Sequence, residues 1–327
     1  MEMSVALTTD GRIAGELRES GVRVTILGET RISRPFTVKR ARSVLAELLE
    51  KDRPHVVVCH QSWPLALFGS LVRRGSSALV LWMHMAAGHH WLDRLAWRVR
   101  PSMVVCNSLF TASTLPKSDA RVEVVYAPVE ARHPGALGLS RNGRAVIIQV
   151  SRMEPLKGHA VLLDALGRLR ARTDWSCRLA GGAQRAHEAE YMESLRARAA
   201  TLGIGDRVEF LGDRSDVPQL LAESDIYCQP NTAPDAFGLS LIEALAAGLP
   251  VVTSAIGGAN EILDDTCGVF VAPGDVATLA SALAALLENR GRRERLGANG
   301  PRRALALCNP AAQMPRIAEI LEKAAAH

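Results

Sequence analysis

Aromatic side chains are scarce in this chain: Phe, Trp and Tyr make up only 4% of its 327 residues. The core must therefore be built from Ala, Leu and Val. No basic-aromatic platform is available for stacking bases, and with a net charge of only +5 a nucleic-acid partner is not expected. The six cysteines show no CxxC pair or metal-ligand spacing, so no metal site is expected from them. Several lie in strand-like apolar runs, which reads as buried free thiols in a reducing cytosol. Long hydrophobic runs are also lacking. The most apolar segment, SSALVLWMHMAAGHHWL, is too short and too His-rich to span a bilayer. The opening MEMSVALTTDGR has neither the basic start nor the apolar stretch of a secretory signal. No solenoid-period repeat or low-complexity tract is visible.

What is present is an alternation. Short apolar, β-branched runs (MSVALT, VRVTIL, HVVVCH, ALVLWM, MVVCN and VEVVYA, then RAVIIQVS, SCRLAG, RVEFLG, DIYCQP, PVVTS and GVFVA) are separated by helix-length segments such as VKRARSVLAELLEKD and KGHAVLLDALGRLRAR. Near-continuous apolar strands are those of sheets covered on both faces, and the strand–helix alternation predicts an α/β fold with parallel sheets. The length suggests two domains. The Gly- and Pro-rich HPGALGLSRNGR, residues 133–144, is the best boundary. It divides the chain into 1–137 and 138–327, with the last helix, AAQMPRIAEILEKAAA, able to pack on either half. Two such domains place ligands at the carboxyl ends of strands facing a central cleft.

Arginine dominates the positive charge, and Arg18, Arg23, Arg31, Arg34, Lys39, Arg40 and Arg42 cluster near the start. One reading is a solvated surface. The other is a basic face that meets an anionic acceptor or a membrane.

Two constellations carry chemistry. In IIQVSRMEPLKGH a strand ends at Ser151, Arg152 follows, and Lys157-Gly158 opens the next helix. Arg offers a planar fork to phosphate oxygens and Lys a mobile point charge, beside the free amides of a helix start. An ordinary solvated loop would have the same composition. In PDAFGLSLIEALAAGLPVV, Asp235 precedes a helix and Glu243 lies in its second turn. Asp there is a common cap or turn residue. Glu243 interrupts an apolar run with no basic residue within a turn, and a carboxylate buried there needs a partner. A ribose diol could supply one, since a carboxylate accepts from both hydroxyls. Amides of Gly238, Leu239 and Ser240 at the helix start are available to an anion. One ligand with a diphosphate and a sugar diol, a nucleotide sugar, satisfies both constellations.

With these motifs the chain resembles the retaining glycosyltransferases of family 4, which have the GT-B fold of two Rossmann-like domains facing a cleft. SRMEPLKG is similar to the family's Arg/Lys pattern, DAFGLSLIE to its E-x7-E motif with Asp235 in the first position, and GLPVVTSAIGGANEIL, with Gly257-Gly258 and Glu261, to the segment that follows. The resemblance covers almost all of the second half and only loosely the first. It implies a metal-independent hexosyltransferase acting on a nucleotide diphosphate sugar and a carbohydrate or lipid-linked acceptor hydroxyl, in polysaccharide or glycolipid synthesis; the free cysteines point to the cytoplasm, and the basic opening segment to its membrane face. Arg152 and Lys157 would bind the leaving diphosphate, Glu243 the nucleotide ribose and Asp235 the donor sugar. Amides near Phe237, Gly238 and Leu239 would complete the pocket, and His84, after a first-half strand, would lie near the donor sugar. His60 and Asn107-Ser108 also end strands and are candidates for the acceptor, whereas His89 and His90 read as surface residues. Asp264-Asp265 follows a helix and is not placed like a metal site on a phosphate.

Two departures from the family pattern stand out. Asp235 is one methylene shorter than the usual Glu. The chain also starts as though at the family's second strand, so the first strand–loop–helix unit is expected to be missing, with oligomerisation as one way to cover the exposed edge. Both departures leave room for a sugar-nucleotide-binding subunit without transferase activity. A nucleotide-sugar epimerase would need further acid/base carboxylates that the sequence does not offer.

Overall fold

The structure is a computed structural model that describes residues 2–88, 91–130 and 143–326. His89 and His90, and all of the expected boundary except residues 143–144, lie outside the described residues. The chain forms two compact units. One comprises Met1–Cys106, Thr114–Val124 and Ile317–His327, and the other Asn107–Ser113 and Val125–Arg316.

The first unit holds β1 (Ser4–Leu7), β2 (Arg23–Ile26), β3 (Val56–His60), β4 (Ala78–Met83), β5 (Met103–Cys106) and β6 (Arg121–Val124). All its strand pairs are parallel, but they form two sheets: β1 pairs with β2, and β3-β4-β5-β6 form the other. Every residue of β5 is buried, whereas Val56, Val57 and Val58 of β3 stay partly exposed. Of the basic residues near the start, Arg18 pairs with Asp10, Arg23 with Glu2 and Asp52, and Arg31 with Glu29, while Arg42 donates to Leu67 O and Ser70 Oγ. Three of those seven charges are therefore paired locally. Arg34, Lys39 and Arg40 remain exposed around Phe36, which is 70% exposed.

The second unit holds β7 (Ala145–Val150), β8 (Trp175–Ala180), β9 (Val208–Gly212), β10 (Ile226–Gln229), β11 (Val251–Ser254) and β12 (Gly268–Val271). They form one parallel sheet in the order β12-β11-β10-β7-β8-β9. Chain direction across the sheet reverses between β7 and β10, so this is a doubly wound sheet with its switch point there. The period of two explains the apolar strands. Ile147, Ile226, Cys228 and Val252 face one core with Leu162, Leu166 and Leu283, while Ile148, Tyr227 and Val251 face the other with Leu241, Leu245 and Ile262. Each fully buried leucine contributes about 2 kcal/mol of apolar transfer, so the sheet is held firmly from both sides. All six cysteines are buried free thiols. Burial pushes Cys59, Cys106, Cys177 and Cys308 up to about 12, which keeps them protonated and inert.

Candidate active site

The switch point brings the two constellations of the second unit together. Ser151 follows β7, and the chain makes a 3-10 turn over Pro155–Lys157 before a helix starts at His159. Gly158 lies between them at φ 76°, and a Cβ there would stand 1.8 Å from Pro230 O, just after β10. Only glycine allows this close approach of the two loops. The result is an ion pair between residues 78 apart in sequence: Lys157 Nζ lies 2.5 Å from Asp235 Oδ2. Asp235 Oδ1 also accepts from the amide of Ala236 at 2.9 Å. Arg152 is on the same loop but turns to Glu154 at 2.8 Å, with half of its side chain exposed.

The helix Leu239–Ala246 begins at Gly238, φ 103°, with no side-chain cap. Its first amides keep the character of an anion site. Glu243 corrects an expectation. It is not buried in its apolar run: it is exposed, on the same stripe as Leu239, 49% exposed, and partly exposed Ala247, while Leu241, Ile242, Ala244 and Leu245 are buried. The helical period turns the one carboxylate outward, so burial does not force a partner on it. Phe237 is only 2% exposed, so its backbone, not its ring, is what a ligand could meet.

Two buried glutamines support these loops and were missed in the sequence, although a glutamine inside an apolar strand was the available signal. Gln149 donates to Lys157 O at 2.8 Å and to Ser151 Oγ at 3.1 Å. Gln229 accepts from Tyr227 and from Ser240 at the start of the Glu243 helix, and donates to Asn231. His159 Nε2 lies 3.1 Å from Ser151 Oγ.

In the first unit, His60 Nδ1 and His84 Nε2 are 2.7 Å apart, at the ends of β3 and β4. Their rings stack with centroids 5.0 Å apart, and both stack near Trp82. Gln61, at φ 78°, turns the chain beside them. Burial first, and then the neighbouring His60, lowers the His84 imidazole to about 4. It is neutral near pH 7 and acts as a hydrogen-bonding group rather than a cation. Ser108 was a candidate for the acceptor. It is fully buried, its hydroxyl donates to Ala236 O at 2.6 Å, and it cannot serve that role. Asn107 accepts from Thr111.

Burial also holds His159 at about 4, against an ordinary 6.5. Unfolding lets it take up a proton near pH 6.5 that the folded state refuses until about pH 4. Its contribution to stability is complete above about 6.5 and is lost as pH falls toward 4. Urea midpoints are expected to drop between pH 7 and pH 5, and His159→Gln to flatten that slope. An unchanged slope in the variant would remove His159 from the account.

Residues 138–303 match the family described as glycosyl transferases group 1. The chain belongs to this family. Among similar proteins, phosphatidyl-myo-inositol mannosyltransferase of Mycobacterium leprae is 39% identical over 171 residues, 51% of this chain and 43% of its own. MMP alpha-(1->4)-mannosyltransferase of Mycolicibacterium hassiacum is 32% identical over 231 residues, 67% of this chain and 54% of its own. This family member thus spans about half the length of the curated relatives it matches. The crystal structure of Anabaena Alr3699/HepE in complex with UDP superposes with a TM-score of 0.86 at 23% identity, over 98% of this chain and 92% of that one. The likeness places this glycosyltransferase-family chain in the GT-B fold class, as the family resemblance implies.

Proposed function

We propose that this chain moves a hexosyl group from a nucleoside diphosphate sugar to an acceptor hydroxyl, with retention at the anomeric carbon. The observation that carries the reading is the Lys157–Asp235 pair at the switch point of the sheet, beside the uncapped helix that bears Glu243. In the reaction the bond from the anomeric carbon to the diphosphate oxygen breaks, a bond to the acceptor oxygen forms on the same face, and the acceptor proton passes to the departing diphosphate. Lys157 and Arg152 take the charge that develops on the diphosphate. Asp235 holds the sugar, Glu243 the ribose hydroxyls, and the amides of Phe237, Gly238 and Leu239 the sugar-phosphate. Neutral His84 contributes a hydrogen bond near the donor sugar. The mannosyltransferase names of the relatives and the UDP bound by the Anabaena protein support the reading.

The acceptor in this reading is a lipid-linked or polysaccharide hydroxyl, and the enzyme works in the cytoplasm at the membrane's inner face. Exposed Ile32 and Phe36 beside Arg34, Lys39 and Arg40 support such a contact; flotation with anionic vesicles that leaves the protein behind would remove it. No helix among the described residues is long and apolar enough to cross a membrane. The reading also includes the absence of the family's first strand–loop–helix unit from residues 1–327. Its support is the break between β1 and β3 and the partly exposed valines of β3; a crystal structure with β1 hydrogen-bonded to β3 would count against it.

The experiment is a melting screen with nucleoside diphosphate sugars, followed by transfer from the best donor and determination of the product's anomeric configuration. A raised melting temperature and a product of the donor's configuration are expected. No shift with any donor, or an inverted product, would overturn the reading. A shift without transfer would instead identify a binding subunit.

A further inference from the structure

The loop that carries Asp235 belongs to no helix or strand, yet the proposed reaction needs its carboxylate held in place. Three contacts hold the loop. Gly258 N donates to Asp235 O at 2.9 Å, and a Cβ on Gly257 or Gly258 would come within 2.4 Å of Asp235 O or 2.5 Å of Ala236 O. Ser108 Oγ donates to Ala236 O at 2.6 Å. The buried ring of Phe237 stacks on Tyr126, with centroids 5.2 Å apart and planes 18° apart.

The last two of these contacts share one anchor. Glu261 Oε2 accepts from Leu109 N at 2.7 Å and from the Tyr126 hydroxyl at 3.0 Å, and Oε1 accepts from Phe110 N at 2.6 Å. The same carboxylate therefore fixes the chain next to Ser108 and the ring beneath Phe237. Its own backbone is tied down by Arg303, which donates to Glu261 O at 2.7 Å and Ile262 O at 2.8 Å. Burial and the neighbouring carboxylate push the Tyr126 phenol up to about 12, so it remains a donor. We infer that Glu261 is a positioning residue of the donor site: it clamps residues 108–110 and Tyr126 against the Asp235 loop and so holds Asp235 against Lys157. The inference rests on the proposed donor site. Glu261 itself touches neither Lys157 nor Asp235, and acts through Ser108, Tyr126 and Phe237.

Charge is what the clamp requires. Three donors converge on two carboxylate oxygens, and an amide of the same shape would turn its NH2 against at least one of them. Glu261→Gln thus removes the clamp with little change in volume. The measurement is calorimetric affinity for a nucleoside diphosphate sugar and for the matching nucleoside diphosphate, with turnover per folded molecule. Glu261→Gln is expected to reduce the preference for the sugar-bearing ligand, and turnover, by about tenfold, the size of one lost charge-assisted hydrogen bond. Affinity for the bare diphosphate should change less than twofold. Tyr126→Phe, which deletes one of the three bonds, should give a smaller effect in the same direction. Unchanged preference and turnover would overturn the inference, as would an equal loss for both ligands, which marks general loosening. If the wild-type protein binds neither ligand, the donor-site reading itself falls and the inference with it.

Discussion

Lys157→Ala is expected to lower turnover by about two to three orders of magnitude, the usual consequence of removing one group aimed at charge that develops in a transition state. The lysine is well suited to that task. Its side chain is only 13% exposed, its backbone carbonyl is pinned by buried Gln149, and its ammonium lies 2.5 Å from Asp235. Without ligand, Asp235 stabilises the cation; with a donor bound, the same cation can serve the leaving diphosphate. Asp235 keeps 27% of its side chain exposed, so water can replace part of what the substitution removes. The folded state should survive with a melting temperature within a few degrees of wild type. Lys157→Arg is not a neutral control, because a planar fork does not reproduce a compact ammonium. Steady-state turnover with the donor found in the melting screen checks the expectation. Wild-type turnover in Lys157→Ala would sink the diphosphate assignment.

Glu243→Ala should weaken binding of a nucleoside diphosphate by about 10- to 100-fold, the range for losing hydrogen bonds from a diol to a charged acceptor. Binding of a sugar phosphate that lacks the nucleoside should be unaffected. The exposed position makes this a clean experiment. The carboxylate faces out from a helix whose opposite side is buried, and alanine is a good helix former, so stability should shift by roughly half a kcal/mol or less. Equal affinity of wild type and variant for the nucleoside diphosphate would leave Glu243 as an ordinary solvent-facing residue.

The strands were legible because both faces of each central sheet are covered. That requirement writes runs such as AVIIQV and MVVC directly into the chain, and all twelve expected strands form. Arg152, Lys157, Asp235 and Glu243 were legible as charges out of place beside a strand end or in an apolar helix. The direction in which Glu243 points was not, because a single charge in a short apolar helix can be a buried oddity or the one outward position. Ser108 was misread for a related reason. The end of a strand suggests access to a ligand, but its hydroxyl is consumed by Ala236 O.

The amino-acid sequence by itself determined the elements, their parallel α/β character and which residues carry the unusual charges, since these follow from local periodicity and residue chemistry. Only the tertiary structure decided which charges meet. Lys157 reaches Asp235 because β10 lies beside β7 and the loops after them converge, and Glu261, in the short helix after β11, reaches Leu109, Phe110 and Tyr126. That convergence arises from strand order and from glycines that allow backbone to approach backbone. Neither leaves a periodic trace along the chain.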